Sequence, residues 1–196
     1  DLIKLIDKTP VTIDEWLKQK EIQRNKNDIN DLLVLGFSTL FLNRTNRSGI
    51  ITGGPIGGKK QKSNYLIDCR FNKETLINRI QKINALKDHI ELHNMDAVDL
   101  LKKLNAVQQH YFLNLDPPYY VKGRQLYLNY YNHNDHVNLK NAISSSNHPW
   151  IITYDNTTEI RNIYSNYNII EYNLIYSAGN IRKGKEILIY NDLRID

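Results

Sequence analysis

The sequence predicts an α/β fold preceded by a mostly helical lobe, and three observations carry that reading. From about residue 88 onward, short apolar runs rich in Ile, Leu and Tyr alternate with helical patterns. The last two runs, 168–176 and 185–191, are separated by one loop and read as an antiparallel hairpin. The first 70 residues carry helix patterns and a glycine-rich basic loop but no comparable strand pattern. We therefore expect a helical and loop lobe over 1–70. An α/β part over 71–196 follows, with a parallel sheet that ends in the hairpin.

The elements follow in order. DLIKLID opens as a helix. In TPVTIDEW, Thr12 with Glu15 three residues on is a capping-box pattern. Residues 28–41 bring Ile29, Leu32, Leu33, Leu35, Phe37, Leu40 and Phe41 into one apolar helix. The loop TNRSGIITGGPIGGKKQKSN comes next. Asn72 is placed to cap a helix reaching about Leu86, with Leu76, Ile77, Ile80 and Ile83 on one side. HIELHN (89–94) reads as a strand and 97–104 as a helix. YFLNL (111–115) is a strand, 135–145 a helix with Asp135 as its cap, WIITY (150–154) a strand and 158–164 a short helix. No internal repeat is visible.

With 196 residues, 41% hydrophobic and 24% charged, the chain suits one soluble domain, or one with a small insertion. No apolar run approaches the ~20 residues that span a bilayer, and no signal-peptide pattern is present. A single cysteine, Cys69, excludes an internal disulfide and a cysteine-rich metal site, and it reads as a small core residue. The expected setting is the cytoplasm. The formal net charge is +5, and its distribution says more than its total. Between Asn43 and Ser63 lie Arg44, Arg47, Lys59, Lys60 and Lys62, with no acid. Such a stretch can follow a phosphate backbone, and it can equally be a solvated loop. Gly53 to Lys59 fits G-x-x-x-x-G-K. Lys60 stands where that motif needs Ser or Thr, and no amphipathic helix follows, which argues against a nucleoside triphosphate loop.

The chemistry concentrates in YFLNLDPPYY (111–120). Ligands in open α/β sheets bind beyond the carboxyl ends of the strands, and Asp116 sits just past such an end. Pro117 and Pro118 fix φ and remove two backbone donors, which leaves their carbonyls free to face a cleft. Tyr119 then offers a flat face. A carboxylate and a carbonyl can accept both protons of one amino group while a ring stacks on the base that bears it. Asp-Pro-Pro also makes an ordinary strand-terminating turn.

LDPPY resembles the catalytic motif of the Dam-like N(6)-adenine DNA methyltransferases, which use S-adenosylmethionine. FLNRTNRSGI, CRFNKETLINRI, YVKGRQLYLNYYNHNDH, WIITYDNTTEIRNIY and KGKEILIYN fit the same order, so the resemblance runs from about residue 28 to 191. It implies a Rossmann-like methyltransferase sheet. It also implies methyl transfer to adenine within a short sequence of double-stranded DNA, in bacterial restriction–modification or stand-alone methylation. Asp116 and Pro117 would accept the amino protons, Pro118 would shape the turn and Tyr119 would stack on the base. Asp96 would hydrogen-bond the cofactor's adenine, with Asp116 bordering the same cofactor. Asp96 is also placed as a helix N-cap. Arg44, Arg47, Lys59 and Lys60 in the lobe, and Lys122, Arg124 and Tyr127 after the motif, would meet DNA, with Tyr130 and Tyr131 alongside. No metal is expected, and His133 and His136 read as surface residues. Asp155 and Asn156 follow the WIITY strand and border the same edge as the motif, and they read as a turn.

The chain departs from the family at one point. Dam-like enzymes carry an F-x-G-x-G cofactor loop after the first strand, and no such segment precedes the helical region here. We therefore expect the sheet to be incomplete beside Asp116. An upstream segment that is removed, disordered, on another chain or outside this sequence would complete it. Cofactor binding by these 196 residues alone is expected to be impaired. Two rivals stand beside this reading: a non-catalytic DNA-binding remnant, and a methyltransferase for another amino group, on RNA or a protein amide. Asp rather than Asn at 116, with the basic lobe, favours DNA adenine.

Overall fold

The computed structural model describes residues 1–121, 123, 130–176, 182–191 and 193. The chain forms two compact units, Asp1–Glu91 and Leu92–Asp196. The division lies beyond the expected residue 70 because the next helix belongs to the first core. Leu76 on that helix packs with Ile67 and Phe71.

The first unit holds α1 (Leu2–Lys8), α2 (Ile13–Arg24), α3 (Leu32–Thr45) and α4 (Lys73–Ala85). Their starts follow from capping side chains that accept orphan backbone N–H groups. Thr12 Oγ1 accepts from Glu15 N at 3.2 Å and Asn72 Oδ1 from Thr75 N at 2.8 Å. Helix α3 begins later than the sequence reading because Asp31 Oδ1 accepts from Leu33 N and Val34 N at 2.8 and 3.2 Å. Ile6, Trp16, Phe37, Phe41, Leu42, Ile67, Phe71 and Leu76 form the core. Trp16 Nε1 donates to Asn46 Oδ1 at 2.6 Å, and Asn46 Nδ2 donates to the carbonyls of Ile50 and Ile51. That polar chain ties α2 to the start of the glycine-rich loop. Within the loop Gly57 has φ +80°, and a Cβ there would lie 2.8 Å from the Tyr65 carbonyl, so this glycine serves a tight turn. Cys69 is exposed, contrary to the core position expected for it. Ile67 and Phe71 on either side take the buried places.

The second unit holds α5 (Ala97–Asn105), β1 (Leu113–Leu115), α6 (His133–Ser144), β2 (Trp150–Asp155), α7 (Thr158–Ile163), β3 (Asn168–Tyr176) and β4 (Arg182–Asn191). The sheet order is β1-β2-β4-β3. β1 and β2 run parallel, and β4 is antiparallel to both β2 and β3. The mixed α/β class and the closing hairpin are as the sequence predicts. The strand expected at 89–94 is absent. Lys87–His89 forms a 3-10 turn, and Ile90 is extended at φ −121° and ψ 121°. The segment keeps an extended preference there, but it joins no sheet among the described residues, and 89–94 is exposed throughout. Among the described residues β1 therefore has one neighbour only. Its other side is an open edge next to Asp116.

Helix α6 starts two residues before the expected 135. Asn132 Oδ1 accepts from Asn134 N and Asp135 N, and Asp135 Oδ2 accepts from Asn132 N at 2.8 Å. Asp135 is the return arm of a capping box and Asn132 is the cap. The core gathers Leu101, Leu113, Leu139, Ile143, Trp150, Ile152, Tyr154, Ile160, Tyr164, Ile187 and Ile189 around β2 and β4. Burial of each large side chain of this kind contributes about 1.5–3 kcal/mol. Among the described residues no helix is long and apolar enough to cross a membrane.

Candidate active site at the carboxyl end of β1

Parallel pairing of β1 with β2, in the register Leu115↔Ile152, brings the carboxyl ends of both strands to one edge. Asp116 thus stands beside Thr153, whose Oγ1 donates to Asp116 Oδ1 at 3.1 Å. Asp116 is exposed, and Pro117, Pro118 and Tyr119 are half-buried. The loop leaves the sheet there and is constrained twice more.

The first constraint is on Tyr119. It is half-buried, and its phenol feels the charge of Glu186, a carboxylate of β4 that is only 3% exposed. Tyr172 on β3 donates to the same carboxylate at 2.9 Å. Burial first, and then Glu186, pushes the Tyr119 phenol well above its ordinary value, and the same causes push Tyr172 up to about 12. Both rings stay protonated donors.

The second constraint is on the backbone. Asp155 Oδ1 accepts from Tyr120 N at 2.8 Å and Oδ2 accepts from Val121 N at 2.9 Å. Asp155 is buried, and it is not the simple turn residue the sequence suggested. The end of the WIITY strand places it beside the motif, but its partners lie 34 and 35 residues away, so no local pattern announces these bonds. Asn156 joins a surface network instead: it donates to Glu171 and accepts from Arg161.

Two hollows flank β1 and α5. One, of about 460 Å³, is lined by Ala97, Leu100, Leu104, Leu113, Asp116 and Tyr131 among others, and follows the open edge of β1. The other, of about 630 Å³, includes Asp96, Asp99, Tyr130, Tyr131 and Asp135. Both are of the size that holds small molecules. Asp96 Oδ1 caps α5 by accepting from Val98 N at 2.8 Å. A carboxylate has acceptor sites beyond that one bond. The chain's glycine cluster, at 53–58, belongs to the other unit. Burial raises the Tyr131 phenol, with the charges of Asp96 and Asp135 adding to it.

His136 is fully buried, which corrects its reading as a surface residue. The alternation of α6 turns it inward with Leu139 and Ile143. Its Nδ1 lies 2.9 Å from the Tyr154 hydroxyl, and the rings of Tyr120 and Tyr131 pack on it. His133 is exposed, with Nδ1 3.1 Å from the Tyr120 hydroxyl. Among the described residues no cluster of three His, Cys, Asp or Glu could hold a metal ion.

In the first unit, Arg47, Lys59 and Lys60 are exposed. Arg44 is half-buried and its Nε donates to the Arg70 carbonyl at 3.1 Å. Burial, and then the charges of Arg70 and Arg79, hold the Arg44 guanidinium below its ordinary value. The sequence reading missed this cluster because Arg70 and Arg79 lie outside the basic loop, across the N-terminus of α4. Lys122, Arg124 and Tyr127 lie outside the described residues.

A family model described as D12 class N6 adenine-specific DNA methyltransferase matches residues 10–178, well over half of the chain. No curated protein matches it.

Proposed function

The chain belongs to the D12 class N6 adenine-specific DNA methyltransferases, and from that premise we propose how its own residues carry the reaction. The activity is transfer of a methyl group from S-adenosylmethionine to the amino nitrogen of adenine in DNA. The observation that carries the proposal is the position of residues 116–119 at the carboxyl end of β1, with Asp116 bonded to Thr153 and the two amides after Tyr119 bonded to Asp155.

Adenine's amino nitrogen is a weak nucleophile because its lone pair is delocalised into the ring. Asp116 and the Pro117 carbonyl accept its two protons, which favours a pyramidal nitrogen with a directed lone pair. Pro118 fixes the chain between these acceptors and the ring of Tyr119, which stacks on the base turned out of the duplex. The bound cofactor supplies an electrophilic methyl. Asp96 and the first turn of α5 hold its adenosine end in the hollow beside Tyr130 and Tyr131, and Asp116 lines the neighbouring hollow along β1. Orientation and fixed charge supply the acceleration.

The finer fold is a Rossmann-like methyltransferase sheet, a reading supported by the parallel start and the closing hairpin. Among the described residues β1 ends the sheet, and a further strand would pair along that edge. The first unit acts as the DNA-recognition lobe. Arg44, with Arg70 and Arg79 beside it, and Arg47, Lys59 and Lys60 meet phosphates of double-stranded DNA. Lys122, Arg124 and Tyr127 continue that contact after the motif. Replacing Lys59 and Lys60 together with Ala is expected to lower the slope of log affinity against log salt by about 1 for each lysine. Filter binding across a salt series measures this, and an unchanged slope removes both residues from the interface.

The activity itself is tested with S-adenosylmethionine labelled in its methyl group, offered with unmethylated bacterial DNA, RNA and a protein mixture. Label recovered as N6-methyladenine from DNA supports the reading. Label confined to RNA or protein supports the rival substrate. DNA binding without any transfer supports the non-catalytic remnant.

A further inference from the structure

The Asp155 carboxylate is spent entirely inside the protein. Both of its oxygens accept backbone N–H groups that immediately follow Tyr119, at 2.8 and 2.9 Å. Neither N–H belongs to a helix or a sheet ladder, so Asp155 is what satisfies them. The residue that carries it ends β2, the strand buried at the centre of the core, and pairs in register with Glu186 on β4. The charge of Glu186 also acts on the Tyr119 phenol. One rung of the β2–β4 ladder thus presents two buried acids toward the same loop. Asp155 grips its backbone, and Thr153, two residues back on β2, grips Asp116.

We propose that Asp155 is a positioning residue for methyl transfer, a clamp that fixes the course of residues 116–121 so that the Asp116 carboxylate, the Pro117 carbonyl and the Tyr119 ring meet the base in one arrangement. The consequence for turnover rests on the adenine methyltransferase reading of the site, while the clamp stands on geometry alone. Two prolines limit φ at 117 and 118 but leave ψ to be set from outside. The loop's remaining freedom is removed from its far end, by charge-assisted bonds to consecutive amides. Asp155 does not touch the base in this scheme and acts through the loop.

Asp155→Asn is the informative change, because it keeps the shape and replaces one acceptor with an amide donor that must face a backbone N–H. Ile143→Val is the control: it thins the same core, lies outside the site, and is expected to lower Tm by a few degrees with unchanged kcat. On unmethylated DNA with labelled S-adenosylmethionine, Asp155→Asn is expected to lower kcat about tenfold or more. KM for DNA should change less than kcat, because every basic residue proposed to meet the phosphates is retained. Amide exchange of Tyr120 and Val121, read by NMR on the full chain, gives a measure that needs no turnover. Protection is expected in the wild type, reduced in Asp155→Asn and lost in Asp155→Ala, with the amide of Ile152 unchanged. A wild-type kcat in Asp155→Asn overturns the positioning role. Unprotected Tyr120 and Val121 amides in the wild type overturn the clamp. A wild type that leaves DNA unmethylated but protects both amides overturns the activity reading and supports the clamp.

Discussion

Replacing Asp116 with alanine is expected to lower methyl transfer by about 10²- to 10³-fold, the scale of losing one preorganised polar group at a reacting centre. Stability should hardly change. The side chain is exposed, and its hydrogen bond with a partly exposed Thr153 contributes at most about 1 kcal/mol. DNA affinity should also persist, since the basic residues proposed to meet the phosphates are all retained. Asp116→Asn separates two parts of the role. The amide oxygen still accepts one proton of adenine's amino group, but the negative charge is gone and an NH₂ faces Thr153 or the base. An intermediate loss is expected. Single-turnover methylation, a thermal melt and a DNA titration on the three proteins decide the matter. Full activity in Asp116→Ala would remove this carboxylate from the mechanism.

The legible parts of this protein are those that local chemistry dictates. Thr12, Asn72 and Asp96 announce helix starts because a cap acts within three residues of itself. The alternation of β3 and β4 reads as a hairpin because pairing follows one short connection. The segment 89–94 has strand composition and is no strand, because pairing needs a neighbour that composition cannot supply. The candidate site divides in the same way. DPPY stands out because an acid and two prolines after an apolar run are unusual in themselves. Asp155 and Glu186 do not stand out, since each acts on a loop dozens of residues away in sequence. The Arg44, Arg70 and Arg79 cluster is hidden for a related reason. A charge run is visible in sequence only when its members are adjacent, and here the fold collects them. Cys69 and His136 show that residue type is a weak guide to burial when helix phase or flanking residues decide it.

His136 gives the last expected result, an acid destabilisation that one substitution should remove. The imidazole ordinarily titrates at 6.5 and is lowered to about 4 here, chiefly because burial penalises its charged form. The carboxylates of Asp155 and Asp135 favour protonation and His133 opposes it, but burial outweighs them. Its Nε2 is buried without a hydrogen-bond partner among the described residues, so a proton there would add a charge with an unpaired N–H. Between pH 6.5 and about 4 the unfolded chain takes up a proton that the folded chain refuses. This contribution to stability is therefore complete above 6.5 and is lost as pH falls toward 4. By linkage the loss at pH 4.5 is about 2.5 kcal/mol. His136→Phe should be less stable at neutral pH by about 1–3 kcal/mol, because the Tyr154 hydroxyl loses its 2.9 Å partner. Its further loss on acidification should be smaller than that of the wild type by about 2.5 kcal/mol. Urea unfolding of both proteins at pH 7.5 and 4.5 measures the difference, and carboxylates elsewhere act equally on each and cancel. Equal losses on acidification would mean that His136 takes up its proton within the fold as readily as outside it. The packing of Tyr120, Tyr131 and Tyr154 around it would then have to open to water at acid pH.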